Sequence, residues 1–396
     1  MRRKGMAEAY IVAARRTAGG RRKGRLREWH PARLAAVVLE DLVSQTGIDP
    51  ALIEDVIMGC VSQGGEQSTQ VGRNAILASS LPDSIPAVTI DRQCGSSQQA
   101  VQFAAQAVMS GTQDIVIAAG VESMTRVPMG SPVKLYADAG LGIGPYADEV
   151  VARYGTRDIS QFIGAEMVAE KHGLTKEAMD AFALLSHQRA IAATRAGAFA
   201  DEIIPLDGVD ENGDAVAHDT DEGIRFDVTL EGIAGVRPLT EKNLLTAATA
   251  SQMCDGASGI MVVSERALKA HDLTPLARIH TLCVTAGDPI IMLEEPLRAT
   301  DIALKKAGMR IDDIDLFEVN EAFASIPLAW LKHTGADPDR MNVNGGAIAL
   351  GHPLGATGAK LMTTLIHGLR RRGKRYGLQT MCEGGGIANV TVLEAL

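Results

Sequence analysis

The sequence predicts an α/β fold of two similar halves that are separated by an inserted segment. Apolar runs typical of strands alternate with helical patterns, and glycines stand at the strand ends, as in sheets that helices cover on both faces. The same order of elements occurs twice along the 396 residues. A chain of this length with 46% apolar residues can bury a large core.

Apolar periodicity and glycine stops place the elements of each half. The first half is predicted to contain, in order, a strand at 9–13, a helix at 31–46, strands at 53–59 and 87–90, a helix at 98–110 and a strand at 115–119. The second half is predicted to contain a strand at 277–284, a helix at 296–307, strands at 311–319 and 341–343, a helix at 356–371 and a strand at 376–381. This repeat predicts two pseudo-symmetric halves.

Between the halves the composition changes. Turns rich in Pro, Gly and Tyr precede an amphipathic helix at 176–196, and a polar stretch rich in Asp and Gly follows at 207–223. A segment of this length is too long for a structureless loop, so we expect a lid over the site. The predicted division is a first half of 1–120 with 250–275, an inserted lid of 121–249 and a second half of 276–396.

Charge and composition narrow the class of function. A net charge of −9 and 4% aromatic residues argue against a nucleic-acid partner, and the lack of a long apolar run argues against a membrane. The five cysteines contain no CxxC pair, which argues against disulfides and a zinc site and favours the cytoplasm. The start MRRKGM has no apolar region behind it and is not expected to be a signal peptide; Met6 is an alternative start, which would make residues 1–5 an extension. The basic run at 15–27 is either a solvated loop or a patch near an anionic ligand or partner subunit.

Two cysteines and a histidine stand at corners where ligands of α/β folds bind. Cys94 follows a strand and precedes a helix, whose free N–H groups and dipole predict a lowered thiol pKa; the alternative is a buried apolar cysteine. His352 lies in a glycine-rich loop where backbone can approach a ligand, or it is a structural hydrogen-bonding residue. Cys382 precedes Gly384 and further glycines, whose free amides could form an oxyanion hole. Asn320 ends a strand and orients a water or a carbonyl, or it caps the next helix.

These residue types suit carbon–carbon bond chemistry on thioesters. One sulfur would carry the acyl group, the imidazole would activate that sulfur, and the second sulfur would move the proton of an α-carbon. Taken together, the segments resemble the thiolase family of acetyl-CoA acyltransferases over essentially the whole chain. The resemblance rests on IVAARRTAGG, CGSS, AAGVESMT, NEAF, NVNGGAIALGHPLGATGAK and CEGGG, which occur in the family's order.

The resemblance implies a thiolase-like fold, layered α/β/α/β/α, and a role for each candidate residue. It implies that Cys94 is the acylated nucleophile, that His352 is its base and that Cys382 is the second, acid/base cysteine. It further implies one oxyanion site at His352 with a water held by Asn320, and another at the backbone N–H groups of Cys94 and Gly384.

The resemblance also implies the ligands. Coenzyme A, as a substrate, would lie under the lid in a groove lined by four residues: Arg225, Ser251, Ala322 and Phe323. No metal and no organic cofactor is implied; the partners are acyl-CoA and CoA. Thiolases form dimers that pair into tetramers through the lid, so a homodimer or homotetramer is expected.

Three positions depart from the family pattern. The pair Ser160-Gln161 replaces the His-Met pair of acetoacetyl-specific thiolases, Cys254 stands where Asn is common, and Glu383 stands where an apolar residue is common. A carboxylate at Glu383 would raise the pKa of Cys382 if the side chains met.

The expected function is a degradative 3-ketoacyl-CoA thiolase of lipid catabolism, such as fatty acid β-oxidation, with a medium or unusual acyl group. The alternative is an enzyme that forms acetoacetyl-CoA. A ketoacyl-synthase-type enzyme is disfavoured because it would carry a second histidine in place of Asn320. A Cys-His-Asn hydrolase would leave Cys382 and the lid without purpose, and a non-catalytic acyl-CoA-binding protein would tolerate loss of a cysteine.

Overall fold

The computed structural model describes residues 7–240 and 242–396; whether residues 1–5 are native, and whether Met6 is the start, lies outside them. Its strands are β1 (Ala9–Thr17), β2 (Gly20–Arg21), β3 (Asp55–Gly59), β4 (Ala87–Ile90), β5 (Ile115–Ser123), β6 (Ile203–Ile204), β7 (Leu206–Val209), β8 (Ala215–His218), β9 (Cys254–Ser264), β10 (Ala277–Ala286), β11 (Leu316–Val319), β12 (Tyr376–Glu383) and β13 (Ile387–Ala395). Its helices are α1 (Pro31–Thr46), α2 (Val71–Leu77), α3 (Ser96–Ser110), α4 (Ser131–Asp138), α5 (Asp148–Tyr154), α6 (Gln161–Lys171), α7 (Lys176–Arg195), α8 (Leu230–Ala234), α9 (Glu265–Ala270), α10 (Glu295–Ala307), α11 (Ser325–Thr334), α12 (Ala347–Leu350) and α13 (Thr357–Arg371).

The sheet order repeats between the two halves. The main path runs β11-β12-β13-β10-β1-β9-β5-β3-β4. The strands on this path can be numbered by their order along the chain within each half. The first half then has the spatial order 1-5-4-2-3, from β1 to β4. With the segment at 341–343 counted as the third, the second half has the order 1-5-4-2, from β10 to β11. Instead of the strand predicted at 341–343, the second half has one parallel bridge to the sheet, between Phe317 and Met341, and one local bridge, between Val343 and Gly345. The halves join where β1 and β10 pair antiparallel.

Helices form three layers around these strands. Helix α1 covers the outer face of the first half, and α10 and α11 cover the outer face of the second. Between them, α3 and α13 share one buried cluster with strands of both halves: Ile57, Val116, Leu316 and Leu393 pack with Val101, Val108, Leu365 and Ile366. The layers therefore alternate helix, sheet, helix, sheet, helix, and the predicted fold class is confirmed.

Glycine ends the outer helices as the sequence predicts. Gly47 after α1 and Gly308 after α10 adopt φ values of 64° and 69°, the left-handed region that glycine enters without a steric cost. The strand predicted at 311–319 begins later, because Asp313 accepts a hydrogen bond from the backbone N–H of Arg310 at 2.8 Å and residues 311–313 form a short 3₁₀ turn.

The inserted segment has its own elements. The helix predicted at 176–196 is α7, and the polar stretch contains the hairpin β7–β8. Asp210 closes the hairpin turn by accepting from the backbone N–H groups of Asn212 and Asp214. The division at 120, 249 and 275 stays a prediction. Within the described residues, no helix is both long and apolar enough to cross a membrane.

Candidate active site

Cys94 lies in a tight turn between β4 and α3. The hydroxyl of Ser96 accepts from the backbone N–H of Arg92 at 2.9 Å and donates to the carbonyl of Gln93 at 2.6 Å, which fixes the turn. All five cysteines lie in the described part of the chain, and Cys94 alone is partly exposed while the others are buried. Access therefore distinguishes Cys94 from the other thiols.

The expected low pKa of Cys94 is wrong for the free protein. Removal from water raises the pKa of this thiol to about 12, and the charge of Glu383 adds to the shift. The helix start is present, but its dipole does not outweigh the desolvation of a thiolate next to a carboxyl group. The resting thiol is therefore neutral and needs a base when it reacts.

Cys382 lies near the end of β12 and is fully buried, and its segment packs directly on the turn of Cys94. A β-carbon at Gly384 would come within 2.8 Å of the side-chain oxygen of Gln93. Desolvation raises the pKa of Cys382 well above its ordinary value, and Cys94 and Glu383 raise it further through their charges. The structure thus brings the two predicted cysteines together.

The glycines after Cys382 also have a structural role. Gly385 and Gly386 have φ values of 82° and 76° in the turn between β12 and β13. A side chain at Gly386 would strike the carbonyl oxygen of Asp288 at 2.7 Å. Residues with a β-carbon would strain this turn. The oxyanion role of Gly384 stays a prediction.

His352 is buried in the loop before α13, and one of its ring nitrogens is unpartnered. Nδ1 lies 2.6 Å from the hydroxyl oxygen of Thr357, while Nε2 has no hydrogen-bond partner among the described residues. We assign the ring hydrogen to Nδ1, because the Thr357 hydroxyl has the carbonyl of Pro353 as an acceptor at 3.0 Å and can then accept from the ring. Nε2 therefore presents a lone pair, as a general base requires.

The protonation state of His352 agrees with that assignment. Burial lowers the pKa of His352 to about 3, and the nearby positive charge of Lys360 contributes in the same direction. The imidazole is neutral at physiological pH. Helix α13, which follows the His352 loop, packs on the start of α3, where the hydroxyl of Ser97 accepts from the backbone N–H of Ala359 at 2.9 Å.

Thr357 was not identified from the sequence, although it stands five residues after His352. We expect Thr357→Val to lower kcat roughly five-fold with an unchanged KM for the substrate, because the ring loses its anchor, a hydrogen bond of about 1 kcal/mol. Steady-state kinetics measures this effect, and Thr357→Ser should restore the rate. Equal kcat in the valine variant would show that packing alone orients the ring.

Asn320 follows β11, and its side chain is buried without a partner. Its backbone N–H donates to the carbonyl of Thr380, two residues before Cys382, at 3.0 Å. Neither amide atom of Asn320 has a hydrogen-bond partner within the described residues. The next helix, α11, begins at Ser325 after Ala324, so the alternative interpretation of Asn320 as a helix cap is wrong. An unpartnered buried amide is costly and fits a site that binds a water or a ligand.

Of the four predicted groove residues, Arg225 lines a cleft, and the other three lie behind its wall. A cleft of about 340 Å³ is lined by Arg225, Val228, Ala248, Ala250 and Gln252, among others. The backbone N–H of Ser251 donates to the carbonyl of Ala322 at 2.9 Å, and Ala250 forms a bridge with Phe323. These contacts connect the cleft to the segment that carries Asn320.

His187 is a further cleft residue that the sequence did not single out. Its Nδ1 accepts from the backbone N–H of Arg225 at 3.3 Å. Burial lowers the pKa of His187 to about 4, and the charge of Arg225 adds to this, so the ring is neutral. It fixes the backbone at Arg225.

Two other sequence features have structural explanations. In the basic run, Arg21 and Arg25 lie 3.8 and 4.0 Å from Glu222. All three residues line a second cleft, and Glu222 neutralises part of the positive charge there. Cys254 is buried, and its sulfur would lie 2.6 Å from a β-carbon at Gly351, beside His352. Within the described residues, no group of three or more His, Cys, Asp or Glu is placed to hold a metal ion.

Comparisons with known proteins cover nearly the whole chain. The family described as "Thiolase, N-terminal domain" matches residues 9–266, and "Thiolase, C-terminal domain" matches residues 273–395. A steroid 3-ketoacyl-CoA thiolase of Mycobacterium tuberculosis is 51% identical over 99% of this chain and 95% of its own. A 3-ketoacyl-CoA thiolase of Yersinia pestis is 42% identical over 99% of this chain and 100% of its own.

Solved structures agree. An acetyl-CoA acetyltransferase of Bacillus anthracis superposes with a TM-score of 0.90 at 36% identity, over 99% of both chains. A human mitochondrial 3-ketoacyl-CoA thiolase superposes with a TM-score of 0.88 at 34% identity, over 98% of this chain and 99% of that one.

Proposed function

The chain belongs to the thiolase family, and from that premise we propose that it is a degradative 3-ketoacyl-CoA thiolase for medium-length or cyclic acyl groups. It is an acyltransferase of the thiolase type. The degradative direction is supported by relatives named 3-ketoacyl-CoA thiolase, and the cyclic group by the Mycobacterium relative, which is named for steroids. The observation that carries the proposal is the neutral His352, whose Nε2 lone pair has no partner among the described residues, in the loop before α13, the helix that packs on the helix after Cys94.

In the first half-reaction, the sulfur of Cys94 attacks the keto carbon of the substrate while its proton passes to Nε2 of His352. Because the thiol has a raised pKa and the imidazole a lowered one, attack and proton transfer are coupled, without a preformed ion pair. The carbon–carbon bond then breaks, and the electron pair leaves as the enolate of acetyl-CoA. Nε2–H and a water held by Asn320 donate to the enolate oxygen.

Cys382 then supplies the proton to the enolate carbon, and acetyl-CoA leaves. The acyl group remains on Cys94 as a thioester, whose oxygen accepts from the backbone N–H groups of Cys94 and Gly384. The thiol of free CoA attacks this thioester while Cys382 takes up its proton. The bond between the acyl group and Cys94 then breaks, Nε2–H of His352 returns its proton to the Cys94 sulfur, and the shortened acyl-CoA departs. Sulfur suits each step because the acyl group passes from thioester to thioester with little change in energy.

The substrate CoA occupies the cleft beneath Arg225, and Ser251, Ala322 and Phe323 support the cleft wall from behind Ala250. Arg225 supplies a positive charge for a phosphate group. The chain's own thiols and imidazole account for every proton and acyl transfer, so the reaction proceeds with CoA as a substrate and without a metal or organic cofactor.

Assembly and location complete the proposal. The enzyme works in the cytoplasm as a homodimer or homotetramer. Strand β4 ends the sheet path and exposes Val88, a suitable edge for a second copy. Apolar side chains of the inserted segment are exposed on and after α4: Val133, Leu135, Tyr136, Leu141 and Ile143. Such a patch favours pairing of dimers through the lid.

The test is CoA-dependent cleavage of a panel of 3-ketoacyl-CoA substrates, from acetoacetyl-CoA through straight chains to polycyclic ones. A chain longer by four buried methylene groups gains about 3 kcal/mol, so kcat/KM should exceed that for acetoacetyl-CoA by roughly a hundred-fold. Loss of the 3-ketoacyl-CoA absorbance measures the rate.

Each alternative predicts another outcome of the same assay. Preference for acetoacetyl-CoA, with rapid formation of it from acetyl-CoA, would favour the biosynthetic enzyme. Loss of substrate without CoA would indicate a hydrolase, and binding without turnover would indicate an acyl-CoA-binding protein. Any of these outcomes contradicts the proposal.

A further inference from the structure

A buried carboxyl group lies between the two cysteine segments. Glu383 directly follows Cys382 and is fully buried. Its carboxyl group occupies the space beside Gly95, the residue after Cys94, so closely that any β-carbon at position 95 would overlap it. The charge of Glu383 acts on both thiols. Glu383 is therefore placed to influence both sulfurs at once.

This carboxyl group has few partners. With the Asn389 amide oriented to satisfy both neighbours, its nitrogen donates to Oε1 of Glu383 at 3.1 Å and its oxygen accepts from the backbone N–H of Gln99 at 3.2 Å. Oε2 has no partner, and no cation lies within ion-pair distance of Glu383 among the described residues. Burying a carboxylate in this way is expensive, whereas a neutral acid is tolerated.

The surrounding charges favour the neutral acid. Desolvation raises the pKa of Glu383 well above its ordinary value, and the charge of Arg92 and a hydrogen bond from the backbone of Asn389 oppose this only in part. The other charged groups that act on Cys94 are Glu122 and Asp91, which are also negative when ionised. The remaining neighbours of the Glu383 carboxyl group are neutral. They are the thiols of Cys94, on the turn before α3, and of Cys382, on β12, and the amide of Asn389 on β13.

We propose that Glu383 works as a neutral carboxylic acid and that its ionisation suppresses thiolate formation at Cys94 and Cys382, which sets the upper pH limit of the site. The consequence for catalysis rests on the proposed function; the coupling between the groups does not. While Glu383 holds its proton, the pocket bears one negative charge when a thiol ionises. Once Glu383 has lost that proton, a thiolate would be a second negative charge in the same buried space.

The experiment compares Glu383→Gln with the wild-type protein by alkylation of Cys94 with iodoacetamide, followed by peptide mass mapping across pH. Glutamine keeps the acceptor for Asn389 but cannot ionise. The ratio of variant to wild-type rates should be near one at acid pH and rise to about ten-fold or more at alkaline pH, since one pKa unit changes the thiolate fraction ten-fold. Alkylation requires no turnover, so it tests the coupling even if the thiolase assignment fails.

Glu318→Gln is the matched control. Glu318 is also a buried carboxyl group with a raised pKa and an unpartnered Oε2, but its charged neighbours are Glu321, Glu202, Arg372 and Arg189 instead of the cysteines. Its ratio should stay near one throughout. A Glu383→Gln ratio above one that does not change with pH would mean an ionised carboxylate at all pH values, and a ratio of one throughout would mean no coupling. Either result overturns the proposal.

If Glu383→Gln does not fold, the pH dependence of the alkylation rate of Cys94 in the wild-type protein tests the proposal by itself. An isolated thiol gains ten-fold in thiolate per pH unit below its pKa. The proposal predicts a range of shallower slope where Glu383 ionises, and a constant ten-fold slope would refute it.

Discussion

Cys94→Ala is expected to abolish every partial reaction, because no other sulfur can hold the acyl group. Loss of a covalent nucleophile costs on the order of 10⁶-fold in kcat where it has been measured in a serine protease. Cys382 cannot substitute, since it is fully buried and the free protein raises its pKa well above the ordinary value. Incubation with acyl-CoA followed by intact-protein mass measurement should show no acyl adduct.

The matched control is Cys283→Ala, which removes a buried thiol on β10 outside the site. It should keep the adduct and most of the activity, with a loss of stability from the small cavity. An acyl adduct on the Cys94→Ala variant would move the nucleophile to another residue and invalidate the assignment.

The sequence predicted those parts of the fold and site that local signals determine. Helix α1 was predicted with its observed bounds because Pro31 begins it and Gly47 ends it, both within the same short segment. The positions of Cys94, His352 and Cys382 at corners followed from strand ends and glycines next to them. Cys94 and His352 precede α3 and α13, the corresponding helices of the two halves, and these helices pack together in one buried cluster.

What the sequence did not predict depends on contacts between distant segments. The helix start before α3 predicted a low pKa for Cys94, but burial and Glu383, from the opposite half of the chain, reverse that direction. The neutral state of His352 depends on Lys360 and on its enclosure. The segment at 341–343 has the apolar pattern of a strand, yet only Met341 forms a bridge to the sheet. Local pattern does not encode such environments.

Cys382→Ala should separate proton transfer from acyl transfer. The variant keeps Cys94 and the neutral His352, whose Nε2 lone pair still accepts the thiol proton, so an acyl adduct should form from acyl-CoA, though slowly. The group that exchanges the α-proton is gone, and losing one positioned acid or base typically costs about 10²–10⁴-fold. Overall turnover should fall by that factor.

The decisive measurement is deuterium exchange at the methyl group of acetyl-CoA in heavy water, taken beside the intact-protein mass of each variant. The Cys382→Ala variant should show an adduct without exchange, and the Cys94→Ala variant should show neither. Exchange at the wild-type rate in Cys382→Ala would remove Cys382 from the mechanism and leave His352 or Glu383 as the base for the carbon acid. Glu383 then requires the opposite protonation state from the one proposed above, because a neutral acid cannot take a proton from carbon. The same variant would thus show whether the second sulfur or one of these two other bases moves that proton.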